Sequence, residues 1–534
     1  MFASKVSTLL RRPGWTAWLT VAIILVAVSC AARKASLAAI TTDEAYNFNG
    51  WVTHGPRHIW SDYSAANNHM VHTLTVWLST QVFGIQPWAL RLSSVCSFAL
   101  ELCCVALIAD RAIGRAWLRP IAVGFVALHP YFLDFGALAR GYTLGTSFLL
   151  LGVWLLMRVT ESLDPETRVR RELALAGLSF AVANGVVPLM MHATVGAGLS
   201  YLYLGLRRVG LRKVTGRLLS LTVPGGLLLF LIYSQVFRQF RRGLFRFGAD
   251  SVRTSLTSLH KLFVYEPQAL VDRGGNPILD GVSVHPWHQG LLPEAFSALF
   301  SHGLGIATLA LCFALTVLGG LLPASTRPEH SRKFIGLIVL CMSLSTAAQF
   351  TLARVPLPLH RTWFPFALLV LLGTWIAVDR VAERLPLAGQ RCFSLVLGPI
   401  ALAFGLHLVD HISFAGFREW PDNAPIPQLL TYIADARDGR RVRIGYPWYQ
   451  EACFIYYRTQ RGYAWLTLPD LNKAESASAE FVVVNSYVSA RRYPKHHPVI
   501  GDKPFLVELL HRPGKSSPAT SPPSADVHAS AGAD

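Results

Sequence analysis

Charge is what this chain has little of. Asp, Glu, Lys and Arg make up 15% of its 534 residues, against roughly a quarter in soluble domains, which excludes a soluble multidomain protein of this length. Acids are scarcer than bases, 31 against 49, for a formal charge of +18. That surplus does not describe a nucleic-acid surface, because the bases sit in short clusters between apolar runs of roughly 17 to 25 residues, the length that crosses a bilayer. Cysteine is also sparse. Cys30, Cys96, Cys103, Cys104, Cys312, Cys341 and Cys392 lie in apolar segments and Cys453 alone in a polar one, so neither a disulfide framework nor a zinc-ligand spacing is present. No internal repeat is visible.

What is abundant is apolar surface: 52% of residues are hydrophobic and the mean hydropathy is +0.38. Apolar runs fall near 15–40, 89–109, 118–133, 141–157, 172–190, 195–206, 218–234, 303–323, 334–352, 363–379 and 393–411. They predict a mostly α polytopic membrane protein of about eleven transmembrane helices, with a small extracytoplasmic C-terminal α/β domain. The first run follows Lys5, Arg11 and Arg12 like a signal peptide, but it extends to about Ile40 and is read as a retained helix. Alternate loops carry the bases, among them Arg111, Arg115 and Arg119; Arg168, Arg170 and Arg171; Arg207, Arg208, Arg212 and Lys213; and Arg380, Arg384 and Arg391. The positive-inside rule then puts the N-terminus in the cytoplasm and the C-terminus outside, in a cell inner (plasma) membrane.

Residues 1–411 are read as the transmembrane domain, with external segments at 41–88 and 235–302. The first, "AYNFNGWVTHG" to "NNHMVHTLTVWLSTQVFG", has the pattern of amphipathic helices on a membrane surface. The second carries Arg238, Arg241, Arg242 and Arg246, suited to a lipid phosphate or to anionic headgroups. Residues 412–512 alternate helical and strand patterns and are read as the α/β domain. Residues 513–534, rich in Pro, Ser and Ala, are read as a disordered tail.

Candidate chemistry clusters on the external side. "TTDEAYNFNG" places the adjacent acids Asp43 and Glu44 where the chain leaves the first span, and the plain alternative for Glu44 is a helix cap. "NNHMVH" supplies Asn68, His69 and His72; the two histidines would share a helical face, yet no third ligand suits zinc. Asp134, Arg140 and Tyr142 lie in the turn "LDFGALARGY", where Arg140 would pair with Asp134 or match phosphate oxygens bidentately. Arg361 sits at the mouth of a late span in "LPLHRTWFP", as a phosphate ligand or an interfacial anchor. Glu101, inside the second span, is paired or functional by default.

Taken in order, "DEAY" after the first helix, "NH" about 25 residues later, the "FGIQPWALRLSS" entry to the next span and "LHPYFLDFGALARGYTLGTSFLLLG" resemble the GT-C superfamily of membrane glycosyltransferases. Within it the family 39 group is the nearest in pattern, similar to dolichyl-phosphate-mannose protein mannosyltransferases and lipid A aminoarabinose transferases. The resemblance covers residues 10–210, and the remainder by layout. It implies an inverting glycosyltransferase with a polyprenyl-phosphate sugar donor, an extracytoplasmic acceptor (lipid, glycan or protein) and no nucleic acid. It also implies Asp43 as base, with Asp134 matching the family in placement and Arg361 by layout; beside these, Glu44 is read as a further catalytic acid and Arg140, His69, His72, Asn68 and Tyr142 as facing donor phosphate or substrate. No cofactor is required by the pattern; a divalent cation, Mg or Mn, would be held by Asp43 and Asp134 where relatives use one. A transporter or flippase, or an O-antigen-ligase-like enzyme with its signature in the 235–302 loop, are the rival readings.

Overall fold

A computed structural model of the chain describes residues 14–65, 67–161, 165–239, 248–263, 265, 303–321, 327–414, 416–468, 479–485, 497–502 and 507–511. Two compact units form. Of the described residues, the first unit takes those up to Ala38, from Asn47 to Tyr265 and from Gly303 to Arg418; the second takes Ala39–Tyr46 and those from Glu419 on.

In the first unit every apolar run folds as helix: α1 (Trp15–Leu37), α5 (Pro87–Ala112), α6 (Leu118–Ala127) with α7 (Pro130–Ala137), α8 (Tyr142–Glu161), α9 (Glu166–Val186), α10 (Met191–Val209), α11 (Leu211–Tyr233), α13 (Gly303–Leu321), α14 (Arg327–Ala353), α15 (Phe364–Arg384) and α16 (Leu387–Asp410). Among the described residues eight helices are long and apolar enough to cross a membrane, or nine if α6 and α7, bent by 57°, form one span. The chain is a multi-pass membrane protein. Among the described residues α9 falls short of a span because it opens with Glu166, Arg168, Arg170, Arg171 and Glu172, and Leu309–Leu318, the part of α13 whose side chains are described, is apolar. The run read as 195–206, short for a span, belongs to the longer stretch Pro188–Val209.

The bend between α6 and α7 follows from sequence. Pro130 pushes His129 out of the helical region, and the His129 ring then accepts from the Tyr131 N–H at 3.2 Å, capping the helix that carries Asp134. Between the first two spans the chain makes α2 (Thr42–Gly50), α3 (Pro56–Ser61) and α4 (Met70–Phe83), in keeping with the helical pattern of that segment. Of the segment read as 235–302, α12 (Val252–Phe263) is described and is amphipathic; Arg241, Arg242, Arg246 and the Arg238 side chain lie outside the described residues. So does the tail.

Basic loops read only as orientation signals prove to be packed. Asp379, fully buried near the end of α15, accepts from Gly114 N (2.7 Å), from Arg115 (3.2 Å) and from Arg332 (2.7 Å), and Arg332 also pairs with Glu383. One carboxylate thereby joins the ends of α5, α14 and α15.

The second unit holds a five-stranded sheet of β1 (Val442–Gly445), β2 (Leu466–Thr467), β3 (Phe481–Asn485), β4 (His497–Asp502) and β5 (Val507–His511), in the order β2-β1-β3-β5-β4. β1 is parallel to both neighbours, and β5 pairs antiparallel with β3 and β4. Helix α17 (Ile426–Ala436) buries Ile426, Leu429, Leu430 and Ile433, spaced at i, i+3, i+4 and i+7, and α18 (Glu451–Gln460) buries Cys453, Phe454, Tyr456 and Tyr457.

Helices α9 and α11 touch backbone to backbone: a Cβ on Gly225 would stand 2.5 Å from the Gly177 carbonyl oxygen. Small residues allow this approach, which van der Waals contact rewards in a membrane. Gly225→Val is expected to cost about 1 to 3 kcal/mol through overpacking and to lower the thermal midpoint in detergent, whereas Gly226→Val, with open space at its Cβ, changes it little.

Candidate functional site

In the first unit the end of α1, the start of α5, α7 and the segment after α16 carry a buried polar cluster. At its centre is a residue that the sequence reading passed over. Lys34, in the last turn of α1 and with no exposed surface, donates to Asp134 Oδ1 at 2.5 Å and to the Ser413 carbonyl at 2.6 Å. The other Asp134 oxygen accepts from the Tyr265 hydroxyl (2.8 Å) and from the Arg418 backbone N–H (3.3 Å). Asp134 therefore has Lys34 as its cation, where a pairing with Arg140 had been the alternative to a functional role. Arg91, also fully buried, donates to the carbonyls of Ala35 (3.0 Å) and Ala38 (2.7 Å), satisfying the open end of α1. The Phe417 ring lies 4.9 Å from the Lys34 ammonium and 5.0 Å from the Arg91 guanidinium, a cation–π contact to each.

Beside this lies a second group. Arg140, 2% exposed, donates to Asn67 Oδ1, and the Asn67 carbonyl accepts from Asn47, which also bonds Thr73 at 3.0 Å. His69 is the N-cap of α4 rather than a residue of its face. Its Nδ1 faces the Val186 carbonyl at 3.1 Å, and a carbonyl only accepts, so Nδ1 carries the proton and Nε2 the lone pair. Burial above all, then Arg140 and His72, with a smaller push from Arg361, hold His69 well below the ordinary histidine range. Burial and Arg140 push His72 down to about 3, and its Nε2 lies 3.1 Å from Ser94 Oγ. The Tyr142 ring meets His69 edge-on at 5.4 Å. Asn68 serves the loop itself, donating to the carbonyls of Ile59 (3.0 Å) and Asp62 (2.7 Å).

Arg361 stands on a short 3-10 turn, His360–Trp363, that α12 holds in place. Ser258 Oγ accepts from His360 N at 2.6 Å and the Ser255 carbonyl from Trp363 Nε1 at 3.0 Å. His360 takes a positive φ of 48°, a left-handed backbone that non-glycine residues rarely adopt. The structure thus gathers His69, His72, Arg140, Tyr142 and, within electrostatic reach of His69, Arg361.

Asp43 and Glu44 belong to the second unit, in the first turn of α2. Thr41 and Glu44 form a reciprocal cap: Glu44 Oε2 accepts from Thr41 N (2.9 Å), and Thr41 Oγ1 from Glu44 N (3.3 Å). Glu44, 1% exposed, is a capping residue here, and Asp43 is half-buried beside it. Burial, and then the carboxylates of Asp422, Glu44 and Asp43, push the Cys453 thiol up, so it stays protonated and inert.

A divalent cation does not suit Asp134, whose oxygens already accept from an ammonium, a phenol and an amide. Among the described residues no three His, Cys, Asp or Glu side chains are grouped to hold a metal.

Neither a protein-family model nor a curated protein matches the chain. Among solved structures, ArnT from Cupriavidus metallidurans bound to undecaprenyl phosphate is similar at 14% identity and a TM-score of 0.39, over 95% of this chain and 100% of that one. The Archaeoglobus fulgidus oligosaccharyltransferase AglB, in complex with an inhibitory peptide and a dolichol-phosphate, is similar at 12% identity and a TM-score of 0.45, over 88% and 70%. The mycobacterial arabinofuranosyltransferase AftD is similar at 16% identity and 0.42, over 80% of this chain and 30% of that one.

Removing one partner of a buried ion pair leaves the other charge uncompensated. Lys34→Met is expected to destabilise the protein by about 3 kcal/mol, read as a lowered thermal midpoint, and Lys34→Met/Asp134→Asn to recover most of that; an unchanged midpoint in the single variant contradicts the pairing. Buried neutral histidines give a pH dependence of definite sign. The unfolded chain takes up protons near pH 6.5, while folded His72 resists to about 3, so stability is full above 6.5 and falls as the pH drops between them. Thermal midpoints from pH 8 to roughly pH 4 should show this decline, and His72→Gln should flatten it.

Proposed function

We propose that this chain is a GT-C membrane glycosyltransferase of the family 39 type, which moves a sugar from a polyprenyl phosphate to an acceptor outside the cytoplasm of an inner membrane. The observation that carries the reading is the buried positive charge of Arg140, drawn from a turn between spans into company with neutral His69 and His72 and with Arg361 in reach. Such a group answers one chemical need. When the bond between the anomeric carbon and the phosphate oxygen breaks, its electron pair leaves with the phosphate, and pre-set guanidinium groups stabilise that growing charge.

The other need is a base. An acceptor hydroxyl or amine attacks the anomeric carbon from the opposite face, its proton passes to a carboxylate, and the configuration inverts in a single displacement. Asp43 takes that part on its sequence context, as the half-buried acid of "TTDEAY", while Glu44 caps the same turn. His69, with its proton directed at Val186, is suited to accept from a sugar hydroxyl through Nε2 rather than to donate to phosphate.

One observation favours transport of a lipid-linked sugar instead. Glu101 is fully buried inside a span, and neither carboxylate oxygen has a hydrogen-bond partner among the described residues.

Membranes carrying the wild type or Asp43→Asn, supplied with a panel of radiolabelled polyprenyl-phosphate sugars, separate the readings. The wild type is expected to transfer label from one donor to an endogenous acceptor, and Asp43→Asn to lose at least about 100-fold of that rate. Equal transfer by both proteins removes Asp43 as base. Movement of label across the membrane without transfer, abolished by Glu101→Gln, supports the transporter.

A further inference from the structure

The backbone that enters the Asp43 helix is tied down residue by residue within the second unit. Ile40 N–H donates to the Tyr457 hydroxyl at 2.9 Å, and Cys453 Sγ lies 3.6 Å from the Ile40 carbonyl. Thr41 and Glu44 close their reciprocal cap. Thr42 Oγ1 accepts from Asn423 Nδ2 at 3.0 Å, lies 3.3 Å from Asn423 Oδ1, and has Cys453 Sγ at 3.8 Å. These partners come from distant segments: Asn423 ends the 3-10 turn Pro421–Asn423, and Cys453 and Tyr457 share one face of α18. All three are buried, Asn423 at 1% and Tyr457 at 3% exposure, so their bonds are shielded from competing water.

Nothing in helix formation requires this. The Thr41–Glu44 box already serves the helix N-terminus, and a nine-residue helix needs no outside hold on the residues flanking its acid. Fixing the residues on both sides of Asp43 does have a use if Asp43 must meet a proton at hydrogen-bond distance, since small misplacements of a base cost large factors in rate.

We propose that Asn423 and Tyr457 are positioning residues for Asp43, acting through Thr42 and Ile40, and that the C-terminal α/β region takes part in the reaction by holding the turn that carries the base. The proposal rests on the transferase reading above. It assigns the region a role separate from any acceptor contact, and it makes Asn423 and Tyr457 determinants of turnover rather than of donor affinity.

The test uses full-length protein purified in detergent as wild type, Asn423→Leu, Tyr457→Phe, Thr42→Val and Thr42→Ser. Hydrogen–deuterium exchange reads the segment 40–46. Asn423→Leu, Tyr457→Phe and Thr42→Val should each raise its exchange about fivefold, the effect of losing one buried hydrogen bond, and Thr42→Ser, which keeps the hydroxyl, should return it to the wild-type rate. Turnover is then measured on the labelled polyprenyl-phosphate sugar that the wild type consumes. The first three variants should lose about tenfold in kcat with KM held within about twofold, and Thr42→Ser should restore kcat.

Unchanged exchange in both Asn423→Leu and Tyr457→Phe overturns the proposal, as does a rise in KM with kcat intact. Should Asn423→Leu fail to fold, Tyr457→Phe, which removes a single hydroxyl, decides alone. A wild type inactive on every donor overturns the transferase reading and the catalytic half of this proposal with it. Unchanged exchange in a wild-type-active protein overturns the proposal and leaves the reading standing.

Discussion

A lysine with no exposed surface at the end of a membrane span must have its charge met from within the protein, and the cluster around Lys34 is arranged to do so. Asp134 supplies the counter-charge, and its second oxygen fixes Tyr265 and the backbone at Arg418, while the Lys34 ammonium also holds Ser413. Three stretches distant in sequence are drawn to the last turn of α1 by this ion pair and its hydrogen bonds. A buried pair of this kind adds little net stability over an apolar substitute, because desolvation offsets the Coulombic gain; what it fixes is register, since any other arrangement of these segments strands a charge. Arg91 adds to this by occupying the carbonyls at the end of the same helix.

The proposed phosphate site is built on that fixed frame. Arg140 follows α7, the short helix that bears Asp134, and its neighbours His69 and His72 are kept neutral by burial and by its charge. Neutral imidazoles beside Arg140 leave its charge available to an anion without adding further positive charge to repel it, which is the electrostatic condition for binding a phosphate in a buried place.

The membrane character and the helical order were legible in the sequence because each span needs a long apolar run, while the charged first turns of α9 and the bend between α6 and α7 blurred the count. Asp134 and Arg140 were legible as polar residues in the turn between two spans, yet the partner of Asp134 was not, because Lys34 sits at the tail of an apolar run and reads as part of the span. The adjacent bases Arg33 and Lys34 inside such a run were the available signal. The cap was visible too: Thr41 and Glu44 stand in the Thr-x-x-Glu spacing of a capping box, but the adjacent acids suggested paired catalysts instead. The electrostatic push of Arg361 on His69, and the hold of Asn423 and Tyr457 on the Asp43 turn, join residues hundreds of positions apart and leave no local trace in the chain. Tertiary contacts of that range are set by helix packing and strand order, which a hydropathy pattern does not encode.

The central claim is that Arg140 and Arg361 together take a lipid-linked phosphate. Retention of undecaprenyl phosphate by the purified protein, followed by native mass spectrometry, tests it without any knowledge of the sugar or the acceptor. The account predicts that the wild type holds one lipid and that Arg140→Gln and Arg361→Gln each weaken retention by about tenfold, as loss of one charge-assisted contact requires. Equal retention by all three proteins would contradict it.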